Sequence, residues 1–220
     1  MKTAVLALSA ALLLTATARA DDPKPRRNVA IFVYEGVELL DFAGPGEVFA
    51  SAGGRQAFKV YTVAATKAPI KAQGFLTVTP EFSIEDCPKP DVIVLPGGLT
   101  RAPMRDPKVI DWIKTASANT EVTMSVCTGA FLLAKAGLLD GREATTHWGF
   151  VEQLKSASPS TKVRADKRVV DTCRVVTTAG VSAGIDGSLH VVQRLLGEQA
   201  ARDTARSMEY KWETGPAGGK

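Results

Sequence analysis

Short apolar runs closed by loops of small residues constrain the fold of this chain more than any other feature. Asn28-Val-Ala-Ile-Phe-Val-Tyr34 and Asp91-Val-Ile-Val-Leu95 are continuously apolar, and the second ends at Pro96-Gly97-Gly98. A strand with no polar alternation is covered on both faces, which is the habit of parallel sheets. Phe58 to Ala65 reads as a further strand, and Glu121 to Val126 is a β-type run leading directly into Cys127. Helical patterns fall between them. Val37 to Phe49 is helix-like but interrupted by Gly44-Pro45-Gly46. Asp106 to Ala118 carries Val109, Ile110 and Ile113 on one face, and a helical pattern follows Cys127.

Ala144 to Thr146 is expected as a short strand and Phe150 to Ala157 as a helix. Ile70 to Phe82 suggests a small hairpin, as do Lys162 to Val170 with Val175 to Ala179. Ser182 to Leu196 and Glu198 to Tyr210 read as closing helices. Strands alternating with helices predict one α/β sandwich around a mainly parallel sheet, spanning 28–212. In such sheets ligands bind beyond the carboxyl ends of the strands.

The chain has 220 residues. Lys2, the apolar run Ala4 to Leu14 and Ala18-Arg19-Ala20 have the pattern of a cleavable export signal over 1–20, with cleavage expected after Ala20. The apolar run is too short for a permanent membrane helix. A periplasmic or secreted protein is therefore expected, with a polar leader over 21–27 and a flexible tail over 213–220. The net charge of +4 falls to +2 when Lys2 and Arg19 are removed. The cationic residues are dispersed, with no basic patch interleaved with aromatics, so neither nucleic acid nor a membrane anchor is expected as a partner.

Three cysteines are present, Cys87, Cys127 and Cys173. An odd number in an oxidising compartment leaves at least one free thiol or an intermolecular bridge. Cys87 and Cys173 each precede a strand, which puts both at the amino-terminal edge of a parallel sheet. This predicts a Cys87–Cys173 disulfide with Cys127 left free.

The loops after Tyr34, after Leu95 and at Cys127 carry the candidate chemistry. Cys127 stands where a strand gives way to a helix, followed by Thr128-Gly129-Ala130. A thiol there meets free N–H groups and the positive end of a helix, both of which favour the thiolate. Small residues leave room for a sharp nucleophile elbow. A buried structural cysteine is the competing reading. Gly97 and Gly98 bring backbone amides near the same place and, with the Thr128 N–H, are candidates for an oxyanion hole. Asp41, between Leu40 and Phe42, is either a turn or cap acceptor or a buried acid with a raised pKa. Glu35 and Glu38 read as solvated. His147 is a possible acceptor for the thiol proton or a hydrogen-bonded wall residue. His190, inside a helix, reads as structural. Two histidines without a neighbouring cysteine argue against a metal.

Taken together, these motifs resemble the DJ-1/PfpI superfamily, the class I glutamine amidotransferase-like fold. The matching pieces are Leu39-Leu-Asp41-Phe-Ala-Gly-Pro45, Leu95-Pro-Gly-Gly98 and Val126-Cys127-Thr128-Gly129-Ala130. They continue through Gly137-Leu-Leu-Asp-Gly141, Ala144-Thr-Thr-His147-Trp148 and Ala179-Gly-Val-Ser-Ala-Gly-Ile-Asp186. The resemblance extends from about Asn28 to Tyr210 and implies a flavodoxin-like three-layer sandwich with a nucleophile-elbow cysteine.

Within the superfamily the chain is most similar to the branch of isonitrile hydratases and amidotransferase-like domains of AraC-type regulators. By that resemblance Asp41 corresponds to the acid facing the cysteine, and Cys127 with Thr128 to the reactive pair. His147 lies one layer behind the reacting atoms. Protease-like members have a histidine directly after the cysteine; Thr128 occupies that place here, which argues against a peptidase. The resemblance implies a cofactor-free lyase that hydrates a small carbon–nitrogen substrate, in a homodimer. Glyoxalase-like or amidase-like chemistry, and a non-enzymatic redox- or ligand-sensing role, are the alternatives.

Overall fold

The computed structural model describes residues 25–213. The export signal, the start of the leader and most of the tail expected from the sequence lie outside the described residues. The first half contains β1 (Arg27–Phe32), α1 (Leu39–Arg55), β2 (Phe58–Ala64), β3 (Ile70–Ala72), β4 (Leu76–Val78), β5 (Phe82–Ser83) and β6 (Val92–Leu95). Then come α2 (Arg101–Arg105), α3 (Pro107–Ser117), β7 (Val122–Val126), a single 3-10 turn at Cys127–Gly129, and α4 (Ala130–Lys135). The chain closes with β8 (Glu143–Ala144), α5 (Val151–Ala157), β9 (Lys162–Val163), β10 (Val169–Thr172), β11 (Val175–Thr178), α6 (Ala183–Leu196) and α7 (Glu198–Ser207).

Among the described residues the central sheet has seven strands in the order β10-β11-β7-β6-β1-β2-β5. Every pairing in it is parallel except β10 with β11. All of β6 and β7 is buried, as is β1 from Val29 onward, so these strands are covered on both sides, the small polar Thr123 and Ser125 of β7 included. Helices α1, α6 and α7 pack together, while α3 and α4 associate separately. The mainly parallel sheet between helices is the flavodoxin-like α/β sandwich expected from the sequence. Local signals set the helix ends. The Asp106 carboxylate accepts from the Lys108 N–H at 2.9 Å and Pro107 opens α3. Gly197, at φ +93°, closes α6.

Three features differ from the sequence reading. Helix α1 runs straight through Gly44-Pro45-Gly46 and breaks later, where Ala52, Gly53 and Gly54 leave helical dihedrals. Proline removes only its own N–H bond, and here the apolar face of the helix is buried around it: Phe42, Val48 and Phe49 hold the turn in register. Lys162–Val163 does not continue into the hairpin with β11. It pairs in parallel with Glu143–Ala144 as a separate ribbon, and the hairpin partner starts at Val169.

The expected Cys87–Cys173 disulfide is absent, and all three cysteines are free thiols. Cys87 donates its N–H to the Ser83 carbonyl at 3.0 Å, beside β5 at one edge of the sheet. Cys173 is exposed in the β10–β11 turn at the opposite edge. Neighbouring strands are about 4.8 Å apart, so even the β6-to-β11 interval exceeds the roughly 7 Å that a disulfide spans between Cα atoms. Sequence position places a residue along a strand; the strand order that separates these two thiols is a tertiary property.

Candidate active site

Three carboxyl-end loops of the sheet converge as their chemistry required. After Tyr34 the chain makes an isolated antiparallel bridge between Val37 and Gly98, and the Glu38 N–H donates to the Gly97 carbonyl at 2.9 Å. The start of α1 is thereby anchored on the Pro-Gly-Gly turn. Asp41, in the first turn of α1, is carried over that turn and is wholly buried. Its Oδ2 accepts from the Gly97 N–H at 2.8 Å. A Cβ on Gly97 would lie 2.7 Å from both the Thr128 N and Oγ1 and 2.8 Å from Asp41 Oδ2. Only glycine allows the three loops to meet.

Cys127 follows β7 with φ +58°, a left-handed conformation costly for a residue with a side chain. Two hydrogen bonds and the turn that follows hold it there. Its N–H donates to the Ala179 carbonyl at 3.1 Å, its carbonyl accepts from the Thr146 hydroxyl at 2.8 Å, and the next residues enter a 3-10 turn. Gly129 is also obligatory, because a Cβ there would overlap the Leu95 carbonyl oxygen. The strained cysteine is the elbow read from the sequence.

Its protonation is not what that reading expected. Burial, and then the charge of Asp41, push the Cys127 thiol up to about 12. The Thr128 N–H, the Val181 N–H and the Thr128 hydroxyl oppose this rise without overcoming it. Desolvation outweighs the helix end because the thiol is only 6% exposed. The sulfur therefore carries its proton at neutral pH. Burial likewise raises the Asp41 carboxyl to about 7; the Gly97 N–H lowers it, the charge of Glu38 raises it, and the Cys127 thiol and Val181 N–H lower it slightly. Asp41 Oδ1 has no hydrogen bond of regular geometry among the described residues. One carboxyl oxygen is thus anchored on Gly97 and the other has no such anchor, while the Cys127 thiol is coupled to the same carboxyl.

The remaining expected residues divide. The Thr128 hydroxyl accepts from the Gly98 N–H at 3.0 Å and returns to the Gly98 carbonyl at 3.3 Å. Both glycine amides proposed for an oxyanion hole are therefore committed within the protein, to Asp41 and to Thr128. His147 accepts at Nδ1 from the Gly149 N–H at 3.1 Å, its ring lying against Gly180. It serves its own loop, and Asp41 is the acid coupled to Cys127. His190 Nε2 pairs with Asp171 Oδ2 at 2.6 Å, alongside Arg194, as a structural residue does. Among the described residues no group of three metal-ligating side chains assembles.

The sequence reading missed three contributors. Val181, a β-branched residue at φ +51°, turns its N–H toward Cys127 and Asp41. Tyr34 is buried and donates its hydroxyl to the Pro96 carbonyl at 3.0 Å, bracing the glycine turn. Burial, with Asp41, Cys127 and Glu38 nearby, pushes its ionisation well up, so it remains a donor. Glu38, read as solvated, is half-buried, bonded to Gln73 and close enough to bias Asp41. Tyr34 carried a signal, an aromatic hydroxyl at the carboxyl end of a buried strand. Val181 carried none, since a left-handed valine is invisible in a sequence.

The DJ-1/PfpI family model matches residues 27–194. The chain is 35% identical over 191 residues to an isonitrile hydratase of Pseudomonas putida, covering 86% of this chain and 79% of that one. A ThiJ/PfpI family protein from Pseudomonas syringae superposes with a TM-score of 0.78 at 29% identity, over 89% of this chain and 79% of the other. Drosophila melanogaster DJ-1beta shares the fold, with a TM-score of 0.75 at 22% identity over 85% of this chain and all of its own. With the strained cysteine, its facing carboxyl and the glycine turn in place, the chain belongs to the DJ-1/PfpI family.

Proposed function

We infer that this protein is a cofactor-free enzyme that adds water to small isonitriles through Cys127 and Asp41. The observation that carries the reading is the buried pair itself, Cys127 on its strained turn beside the wholly buried Asp41 carboxyl, both biased toward their protonated forms by burial. An isonitrile carbon accepts a nucleophile and a proton at the same atom. The pair holds both and needs one relay: the Asp41 carboxylate takes the thiol proton while the Cys127 sulfur bonds to the carbon, then passes that proton to the carbon. The product is a thioformimidate on Cys127. Water then adds to its carbon, Asp41 receiving one water proton and delivering it to nitrogen. Loss of the sulfur, which recovers its proton from the hydroxyl, releases an N-substituted formamide. The sum is R–NC plus water giving R–NH–CHO. The N–H groups of Thr128 and Val181 steady the sulfur while it carries negative charge.

The same features weigh against the alternatives. Amide hydrolysis builds a tetrahedral oxyanion that needs free donors, and the Gly97 and Gly98 amides are occupied. Peroxide sensing favours an accessible thiolate, whereas this thiol is buried and its pKa raised. Kinship with the Pseudomonas putida hydratase supports the hydration reading. Export and a homodimer complete the proposal, the first resting on residues 1–20.

The test is to supply purified protein with an alkyl and an aryl isonitrile and follow the N-substituted formamide by chromatography. Turnover is expected, and Cys127→Ala and Asp41→Asn should each reduce it by at least 1,000-fold, roughly the scale of losing a nucleophile or its proton relay. Full turnover by Cys127→Ala would exclude the covalent route. Amino-terminal sequencing of protein recovered from a periplasmic extract should begin at Asp21.

A further inference from the structure

A cavity of about 290 Å³ opens at the carboxyl end of β11. Its lining includes Thr146, His147, Trp148, Lys167, Arg168 and Val181, and contains no acidic side chain. Cys127 does not itself line the cavity but lies one residue behind its inner wall: the Thr146 hydroxyl holds the Cys127 carbonyl, and the Val181 N–H is directed at the sulfur. Its outer wall is aromatic, with Trp148 83% exposed at the rim and the His147 ring 5.4 Å from it.

The two cations in the lining are not equivalent. Arg168 is already engaged, donating from Nε to Asp186 and from a terminal nitrogen to Ser182 at 3.1 Å. Tyr210 completes that arrangement by donating to the other oxygen of Asp186 at 2.9 Å. Lys167 is half-buried and makes no ion pair within 4 Å among the described residues, its charge acting only at longer range on Asp166. The carboxylate next to it in the chain, Asp166, is held by both nitrogens of an Arg164 fork at 2.8 and 3.0 Å. The carbonyl of Lys167 is pinned by the Thr145 hydroxyl at 3.0 Å, which fixes where its side chain begins. A half-buried ammonium whose neighbouring carboxylate, Asp166, is already held by Arg164, in a cavity lined by no acidic side chain, favours an anionic guest.

We propose that this cavity is the substituent subsite of the enzyme and selects substrates bearing a carboxylate, which Lys167 receives while Trp148 and His147 flank the connecting atoms. The proposal rests on the hydratase reading for the chemistry of the reacting end, but the anion subsite has a consequence that needs no turnover. Benzoate and benzamide have nearly the same shape and differ in charge. Titrated into the full-length protein and followed by calorimetry, benzoate should bind at least tenfold more tightly than benzamide. Lys167→Gln should bring the ratio close to one, and Lys167→Arg should restore most of it. Equal binding of the two probes, or a preference that survives Lys167→Gln, would overturn the subsite.

Turnover supplies the second arm. Isocyanoacetate should exceed its methyl ester in kcat/KM by at least tenfold, the difference lying in KM, and Lys167→Gln should collapse that ratio. Turnover of both compounds at equal kcat/KM would sink the carboxylate preference and leave the hydratase reading standing. Charge-selective binding of benzoate with no formamide from any isonitrile would do the reverse.

Discussion

Replacing Asp41 by asparagine should stabilise the protein in a strongly pH-dependent way, because the carboxyl is buried and no cation among the described residues pairs with it. Folding raises its pKa from 3.8 to about 7, so the folded state holds this proton more tightly than the unfolded chain does. Between pH 4 and 7 the folded state therefore binds more protons at this site, and stability falls as pH rises through that window. Below pH 4 the carboxyl is neutral in both states and the penalty vanishes. Above pH 7 it is fully developed. The shift from 3.8 to about 7 corresponds to about 4 kcal/mol at 1.36 kcal/mol per pH unit.

Asparagine keeps the shape and an oxygen for the Gly97 N–H, and it never ionises. Any fixed cost of the substitution is the same at every pH, so the informative quantity is the change in the gap between the two proteins. For a domain of this size 1 kcal/mol moves Tm by about 2–4 °C. The Tm of Asp41→Asn relative to the native protein should therefore climb by roughly 10 °C between pH 4 and pH 8. Other carboxylates titrate in both proteins and cancel. Calorimetric melts at half-unit pH intervals measure it directly. Two Tm curves that run parallel to within about 2 °C would refute the buried, unpaired state assigned to Asp41.

The relay also predicts a pH–rate profile. Asp41 must be ionised to take the thiol proton, so kcat/KM for an isonitrile should rise through about pH 7 and stay level to pH 9. A profile that falls across pH 7 would mean the protonated carboxyl is the working form. Gly97→Ala should drive its Cβ into Thr128 and Asp41, lowering kcat/KM by about 100-fold and stability by about 1–3 kcal/mol, read by turnover and thermal melts. Alkylation of the folded protein at pH 7.5 without reductant, followed by peptide mass spectrometry, should label Cys173 first, Cys87 more slowly and Cys127 last. A Cys87–Cys173 linked peptide would contradict the strand order.

Much of the architecture was legible because buried parallel strands leave an unmistakable trace. Asn28–Tyr34 and Asp91–Leu95 have no polar alternation, and no arrangement exposing one face tolerates that. The positions of Cys127, Gly97 and Asp41 were legible too, each standing in or just beyond a loop at the carboxyl end of a strand, where a parallel sheet collects its functional residues. What a chain carries in its local order, including periodicity, glycine at a tight approach and a cysteine at an elbow, is determined by its residues alone.

Tertiary structure decided the rest. The sulfur was expected to ionise because a helix end and free amides lie nearby in sequence; burial beside Asp41 reversed this, and burial is a sum over many distant residues. The Gly97 and Gly98 amides were taken by Asp41 and Thr128, 56 and 30 residues away, partners that only folding introduces. Cys87 and Cys173 share an edge when judged along their strands, but stand at opposite sides of the sheet once strand order is set. Val181 entered the site through a backbone twist that no side chain announces. The sequence determined which groups arrive at the pocket; desolvation and cross-chain hydrogen bonding determined their protonation and which of them remain free to act.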